Sequence, residues 1–277
     1  MINSIIKARA ILLIALLSLS ISFIGCEDAT SPLDINLFTL DDDKQLGADL
    51  ATQIDADIQN YPPLNNTEAQ QYVQSIANEI LKSPEVKYAT TFSYQVKIIN
   101  KGEIVNAFAL PGGYVYVYTG LLKFVDNEAT LASVLAHEIA HAERRHATKR
   151  LTKHYGVQVL LGLVLGENPT VLEEIFSNLL TNLGFLYNSR EDEYEADEYA
   201  FKYLLTSQWY PGAMTYFFNA IKNNEDKSFL KELLSTHPMP QNRIDAVEKL
   251  IKDYKVASPT EANLFSLRYS QFKKLIP

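Results

Sequence analysis

The chain has 277 residues, of which 47% are hydrophobic and 11% aromatic. That is enough apolar side chain for a substantial core and too much for a disordered chain. A formal net charge of -8 sets aside nucleic acid as the main partner, because a phosphate backbone calls for a cationic surface. The single cysteine, Cys26, excludes an intrachain disulfide.

Lys7 and Arg9 precede an apolar run over 10–24, and Gly25 stands directly before Cys26. Basic start, apolar middle and small residue before a cut describe an export signal. The position of the lone cysteine resembles a bacterial lipoprotein signal, which implies that Cys26 is lipidated and becomes the first residue of the mature chain. An uncleaved anchor and ordinary secretion are the alternatives. Residues 1–25 are thus expected to be a signal peptide, 26–43 an acidic tether, and 44–277 one domain.

Leu46, Leu50, Ile54 and Ile58 recur at helical spacing and predict a helix over 44–59, stopped at Pro62-Pro63. Val73, Ile76, Ala77 and Ile80 predict a second over 67–82. The period then changes to two. Phe92, Tyr94, Val96 and Ile98 alternate with polar residues as in a half-buried strand. A hairpin-like turn at 100–102 leads to a strand over 104–109. After the turn at Pro111-Gly112-Gly113 comes a third strand, Tyr114-Val115-Tyr116-Val117-Tyr118, with tyrosines on one face and valines on the other.

A long helix is predicted over 127–154, capped by Asp126 or Asn127. It carries His137-Glu138-Ile139-Ala140-His141, an H-E-x-x-H pattern. Histidines four residues apart share one helix face, so both imidazoles reach one zinc ion, with the glutamate beside them as a base for a water on the metal. Its last turns hold Arg144, Arg145, Lys149, Arg150 and Lys153, read as a solvated basic face, with His146 and His154 as surface residues. The apolar stretch 156–166 is too short to span a bilayer and reads as a buried helix or a lid. Helices follow over 170–187, over 190–207 with Ser189 as cap, after Pro211-Gly212, and over 242–254. Residues 235–240 read as a loop.

Catalytic zinc takes three protein ligands and keeps one open position. The acidic segment 190–198 offers the third. Glu193 and Asp197 share a face at i and i+4, so Glu193 could bind metal while Asp197 accepts a hydrogen bond from a ligand histidine. Spacing leaves Glu191 and Glu195 as alternatives.

H-E-x-x-H followed by Glu193-x-x-Ala196-Asp197 resembles the zinc metallopeptidase family of the CaaX prenyl endopeptidases and the HtpX, BepA and LoiP proteases. Asn106-Ala107-Phe108-Ala109, Pro111-Gly112-Gly113 and Ser189-Arg190 fit the same pattern, as do His237-Pro238 and Arg243. The resemblance implies a mostly helical α+β, zincin-like fold, with a small antiparallel sheet beside the motif helix. It implies one Zn²⁺ per chain, held by His137, His141 and Glu193, with Glu138 as the general base. His237 is implied either to occupy the fourth metal position or, like Arg243, to assist an oxyanion. Polypeptides are the implied substrates, in particular unfolded proteins of the bacterial envelope, reached from a lipid anchor at Cys26. The Tyr114–Tyr118 strand is a candidate to pair with an extended substrate. The competing reading is a chaperone-like lipoprotein with a structural zinc.

Overall fold

A computed structural model describes residues 36–154, 188–225, 228–238 and 242–277. The expected export signal, Cys26, the apolar stretch 156–166 and the helix expected over 170–187 lie outside the described residues. No helix among those described is long and apolar enough to cross a membrane.

Helix α1 runs Leu40–Ala56. Thr39 and Asp42 form a capping box, each side chain satisfying the other's backbone N–H, and this starts the helix four residues earlier than expected. Residues 40–43, expected in a tether, are therefore helical. Asp43 is buried, the Leu37 N–H donates to Thr152 Oγ1, and Asn36 donates to Thr148 Oγ1. Helix α2 spans Thr67–Ile80 under an Asn66 cap, with Val73, Ile76, Ala77 and Ile80 turned inward.

Three strands follow: β1 (Gln95–Ile99), β2 (Ala107–Ala109) and β3 (Tyr114–Tyr118). The sheet order is β1-β3-β2, with β1 parallel and β2 antiparallel to β3. The expected antiparallel sheet is therefore mixed. The hairpin is β2–β3 through Pro111–Gly113, whereas 100–102 starts a crossover. Gly112 sits at φ 74°, a left-handed conformation that favours glycine.

Alternation in β3 sorts the two faces as the sequence implies. Val115 and Val117 join the main core, and Tyr116 and Tyr118 pack with Leu46, Leu50 and Ile54 of α1. The outer edge of β1 is covered by α2: the Val96 N–H donates to Gln74 Oε1 at 2.9 Å and the Ile98 N–H to Gln70 Oε1 at 3.3 Å. Side-chain amides thereby stand in for a missing strand.

Short helix α3 (Thr119–Phe124) leads into α4, Glu128–Glu143, capped by Asn127. Every residue of α4 is buried, which makes it the central element of the core. Helix α5 (Arg190–Leu204), capped by Ser189 and Asp192, is its main partner. Ala136 and Ala140 on α4 and Ala196 and Ala200 on α5 are small enough for the two helices to approach closely. Helices α6 (Met214–Asn223), α7 (Lys231–Thr236) and α8 (Asn242–Asp253) pack around this pair. The weakly patterned last residues form α9 (Glu261–Leu264) and α10 (Ser266–Phe272). They dock through Arg268, which donates to buried Glu128 at the start of α4, a carboxylate that also receives the Trp209 indole N–H.

The motif helix is shorter than predicted. It ends at Arg144-Arg145, where Arg145 takes φ 59°, and helix resumes at His146. Arg145 is held there by Asp43 and by the Phe38 and Thr39 carbonyls. Arg144 pairs with Glu195 and Arg150 with Asp192. These three arginines face partners in the fold, not solvent, so the basic run is only in part a surface.

Candidate metal centre

Helix α4 presents His137, Glu138 and His141 on the side facing α5 and α7. The histidines lie one turn apart, with Nε2 atoms 3.0 Å from each other. Glu193 on α5 brings Oε2 to 3.5 Å from His137 Nε2 and Oε1 to 3.3 Å from His141 Nε2. His237, at the end of α7, adds Nδ1 3.0 Å from Glu193 Oε1. Ligand atoms of the four side chains all fall within 4.8 Å of one another, and all four residues are buried.

This spacing is a test of fit. Bonds of about 2.0–2.1 Å to a tetrahedral zinc put neighbouring ligand atoms about 3.3 Å apart. The observed 3.0–3.5 Å separations bracket that figure. Three nitrogens and a carboxylate, buried and convergent, form a group able to bind one metal and consistent with zinc.

Electrostatics prepare the donors unequally. Burial alone would raise the Glu193 carboxyl, but His237, Arg243 and His137 outweigh it and hold it well below the usual range. Burial, reinforced by His137, pushes His141 well below an ordinary imidazole, so it is neutral. Burial also works against charge on His137, yet Glu193 and Asp197 overcome it and lift the imidazole to about 10. Asp197 Oδ1 lies 2.9 Å from His137 Nδ1. Glu138 is raised by burial, the direction that suits a proton acceptor.

Each residue singled out for the metal centre has a definite place. Of the acidic candidates, Glu193 faces the cluster, Glu191 is exposed, and Glu195 turns to Arg144 and His146. Arg243 donates to both oxygens of Asp197, to the Pro238 carbonyl, and contacts Glu193 Oε2 at 2.5 Å. It braces the two carboxylates of α5. Tyr114–Tyr118 is the middle strand with both edges paired, so it cannot accept a further strand. The strand beside the cleft is β2: its Phe108 and Ala109, with Leu110 just beyond it, line the same cleft as Glu138 and His141.

Two residues near the centre were not anticipated. His146, expected at the surface, is 1% exposed, with Nδ1 2.7 Å from His141 Nδ1. Five residues advance a continuous helix by about 500°, which would point His146 away from His141. The turn at Arg145 brings it back, and nothing in local spacing signals that turn. Asn188, just before the α5 cap, receives Arg150 Nη1 on Oδ1 at 2.6 Å. Its Nδ2 is thereby turned inward, 3.2 Å from His141 Nε2.

The pattern that defines Peptidase family M48 matches residues 67–251, spanning both helices that carry the donors. The chain belongs to peptidase family M48. Among M48-related proteins, the beta-barrel assembly-enhancing protease of Escherichia coli is 29% identical over 193 residues, 66% of this chain and 39% of that protein. The corresponding protein of Yersinia pestis is 30% identical over 184 residues, 63% of this chain and 37% of its own length. The mitochondrial metalloendopeptidase OMA1 of Arabidopsis thaliana is 34% identical over 152 residues, 54% and 30% of the two chains. This M48 chain spans about two fifths of the length of the first bacterial relatives it matches.

Proposed function

We propose that the protein is a zinc-dependent metalloendopeptidase of the bacterial cell envelope that cleaves misfolded or unassembled polypeptides. The observation that carries this reading is Glu138. It is 3% exposed, lines the cleft and lies between the two histidines on the helix that supplies them. A structural zinc site needs no such carboxylate, so its presence favours catalysis over binding alone. Membership of M48 supports hydrolysis of peptide bonds, and the names of the bacterial relatives support the envelope as the setting.

Zinc, when bound by His137, His141 and Glu193, supplies Lewis acidity to the peptide carbonyl and to water. Glu138 is placed to take the proton of the attacking water and to return it to the leaving amine. Asp197 orients His137, and Arg243 balances the paired charges of Asp197 and Glu193. Asn188 directs an N–H towards the site, where it is available to a substrate oxygen.

The outer edge of β2 is the reading for substrate alignment. Tyr118 N–H donates to the Asn106 carbonyl and Leu110 N–H to the Tyr114 carbonyl, which marks 106 and 110 as hydrogen-bonded positions of the ladder. By alternation, the backbone groups of Ala107 and Ala109 point to the other side, where the Ala107 N–H donates to Asn106 Oδ1 until a substrate replaces it. An extended peptide laid there runs past Glu138. Such pairing favours unfolded chains, which present extended backbone along their length.

Lipid anchoring at Cys26 belongs to the same proposal. A casein-type degradation assay on the purified protein, with chelator and with zinc restored, is the test. Cleavage abolished by chelation and recovered with zinc is the expected result. Binding of unfolded protein without any cleavage would replace this reading with that of a chaperone-like lipoprotein.

A further inference from the structure

The two ring nitrogens of His141 face opposite ways. Nε2 faces the donor cluster, 3.3 Å from Glu193 Oε1. Nδ1 lies 2.7 Å from His146 Nδ1. His146 Nε2 lies 2.9 Å from Glu195 Oε2, and Arg144 Nε donates to Glu195 Oε1 at 2.7 Å. His146 is 1% exposed, so the contact between the two rings is shielded from water, while Glu195 at the far end is 32% exposed.

The protons along this path can be placed one by one. A ring nitrogen that binds metal carries no proton, so neutral His141 keeps its proton on Nδ1. That N–H donates to His146 Nδ1, which must therefore be the bare nitrogen of the second ring. His146 then carries its proton on Nε2 and donates to Glu195. Each donor meets an acceptor, and Arg144 fixes the carboxylate at the end. His137 meets its carboxylate, Asp197, directly. His141 reaches one through an interposed imidazole.

The backbone is shaped for this arrangement. Arg145 at φ 59° occupies a conformation that non-glycine residues rarely adopt. Asp43 and the Phe38 and Thr39 carbonyls hold it there. Without that turn His146 would not return to His141.

We propose that His146 is a positioning residue of the metal centre: it fixes the tautomer and ring plane of His141 and links that ligand to Glu195. The proposal rests on the zinc reading above. Partners of ligand histidines typically tune metal affinity by about 10–100-fold.

The test measures zinc affinity of the purified protein by competition with a chromogenic chelator, together with the melting temperature of the metal-free protein. His146→Leu keeps bulk and removes both hydrogen bonds, so zinc should bind about 10–100-fold more weakly. His146→Gln offers an oxygen to the His141 N–H and an N–H to Glu195, so its affinity should recover to within a few-fold of wild type. A residue that merely fills space would show the reverse order, with leucine tolerated and glutamine not, and that result overturns the proposal. Glu195→Ala should weaken binding by a smaller factor, and serves if His146→Leu does not fold. Wild-type affinity in His146→Leu, or in Glu195→Ala, overturns the proposal. If the wild-type protein binds no zinc, the metallopeptidase reading itself falls, which is a different outcome.

Discussion

Arg243 donates from Nε and Nη2 to the two oxygens of Asp197, both at 2.7 Å, across 46 residues of sequence. Its Nη1 lies 2.5 Å from Glu193 Oε2, so one guanidinium serves two carboxylates on successive turns of α5. All three side chains are at most 2% exposed. Buried carboxylates this close repel each other, and the guanidinium offsets that repulsion. Removing one partner of a buried ionic group leaves charge uncompensated, at a cost of about 3–5 kcal/mol. Arg243→Ala should therefore lower the unfolding free energy by that order, read as a lower denaturant midpoint. Arg243→Lys keeps the charge and loses the two-pronged geometry, so it should fall between the two. A midpoint unchanged in Arg243→Ala would remove the brace from the description.

Glu138→Gln separates metal binding from chemistry. The amide has nearly the same shape but accepts no proton, and Glu138 is not among the donors that face the metal position. Zinc content should stay at one per chain, while casein cleavage should drop by about 10²–10⁴-fold, the usual range for a positioned base. An unchanged rate would reject the role given to Glu138.

Zinc affinity should rise with pH. His137 is raised to about 10 in the metal-free protein, so near neutrality it holds a proton that zinc must displace. Glu193 is held well below its usual range and His141 well below an ordinary imidazole, so neither adds a proton to displace there. The sign follows: raising pH frees His137 and tightens binding, by about tenfold per unit up to about 10. Competition titrations at three pH values between 6 and 8 read the slope. A flat response would mean that Glu193 and Asp197 do not keep a proton on His137.

What could be read from the sequence is what short-range geometry determines. His137 with His141, and Glu193 with Asp197, are each set on one helix face by i, i+4 spacing. Period-two alternation in β3 likewise sorts its valines from its tyrosines. It does not say which strands flank β3, because the parallel pairing with β1 is a long-range choice. Asp41-Asp42-Asp43 reads as a solvated tether by composition, although Thr39-x-x-Asp42 is a helix-start signature that composition hides. His146 depends on a single backbone inversion at Arg145, which is stabilised from the far end of the chain segment by Asp43. The donors were legible, and the residues that orient them were legible only where they share a helix face.

Gly47 governs how α1 meets the wall of the cleft. A Cβ built at Gly47 would lie 1.8 Å from the Pro111 carbonyl oxygen, which is backbone and cannot swing aside. Gly47→Ala must push α1 off the Pro111–Gly113 turn, and overpacking of this kind typically costs about 1–3 kcal/mol. Because Leu110 and Pro111 also line the cleft, cleavage should fall along with the melting temperature. Wild-type stability in Gly47→Ala would show that the two elements have room to separate.

His237 sits among the donors at 6% exposure, with Nδ1 3.0 Å from Glu193 Oε1 and Nε2 3.6 Å from Glu138 Oε1. A fourth protein donor completes a tetrahedron and leaves no place for water or a substrate carbonyl. It also approaches the carboxylate proposed as the base. It stands directly after the six-residue helix α7. His237→Ala should thus raise cleavage of an unfolded substrate, roughly tenfold if the open form is about a tenth of the population. Zinc should remain bound, since His137, His141 and Glu193 are untouched. A fall in cleavage with zinc retained would instead assign His237 to the reaction, as a donor to the developing oxyanion.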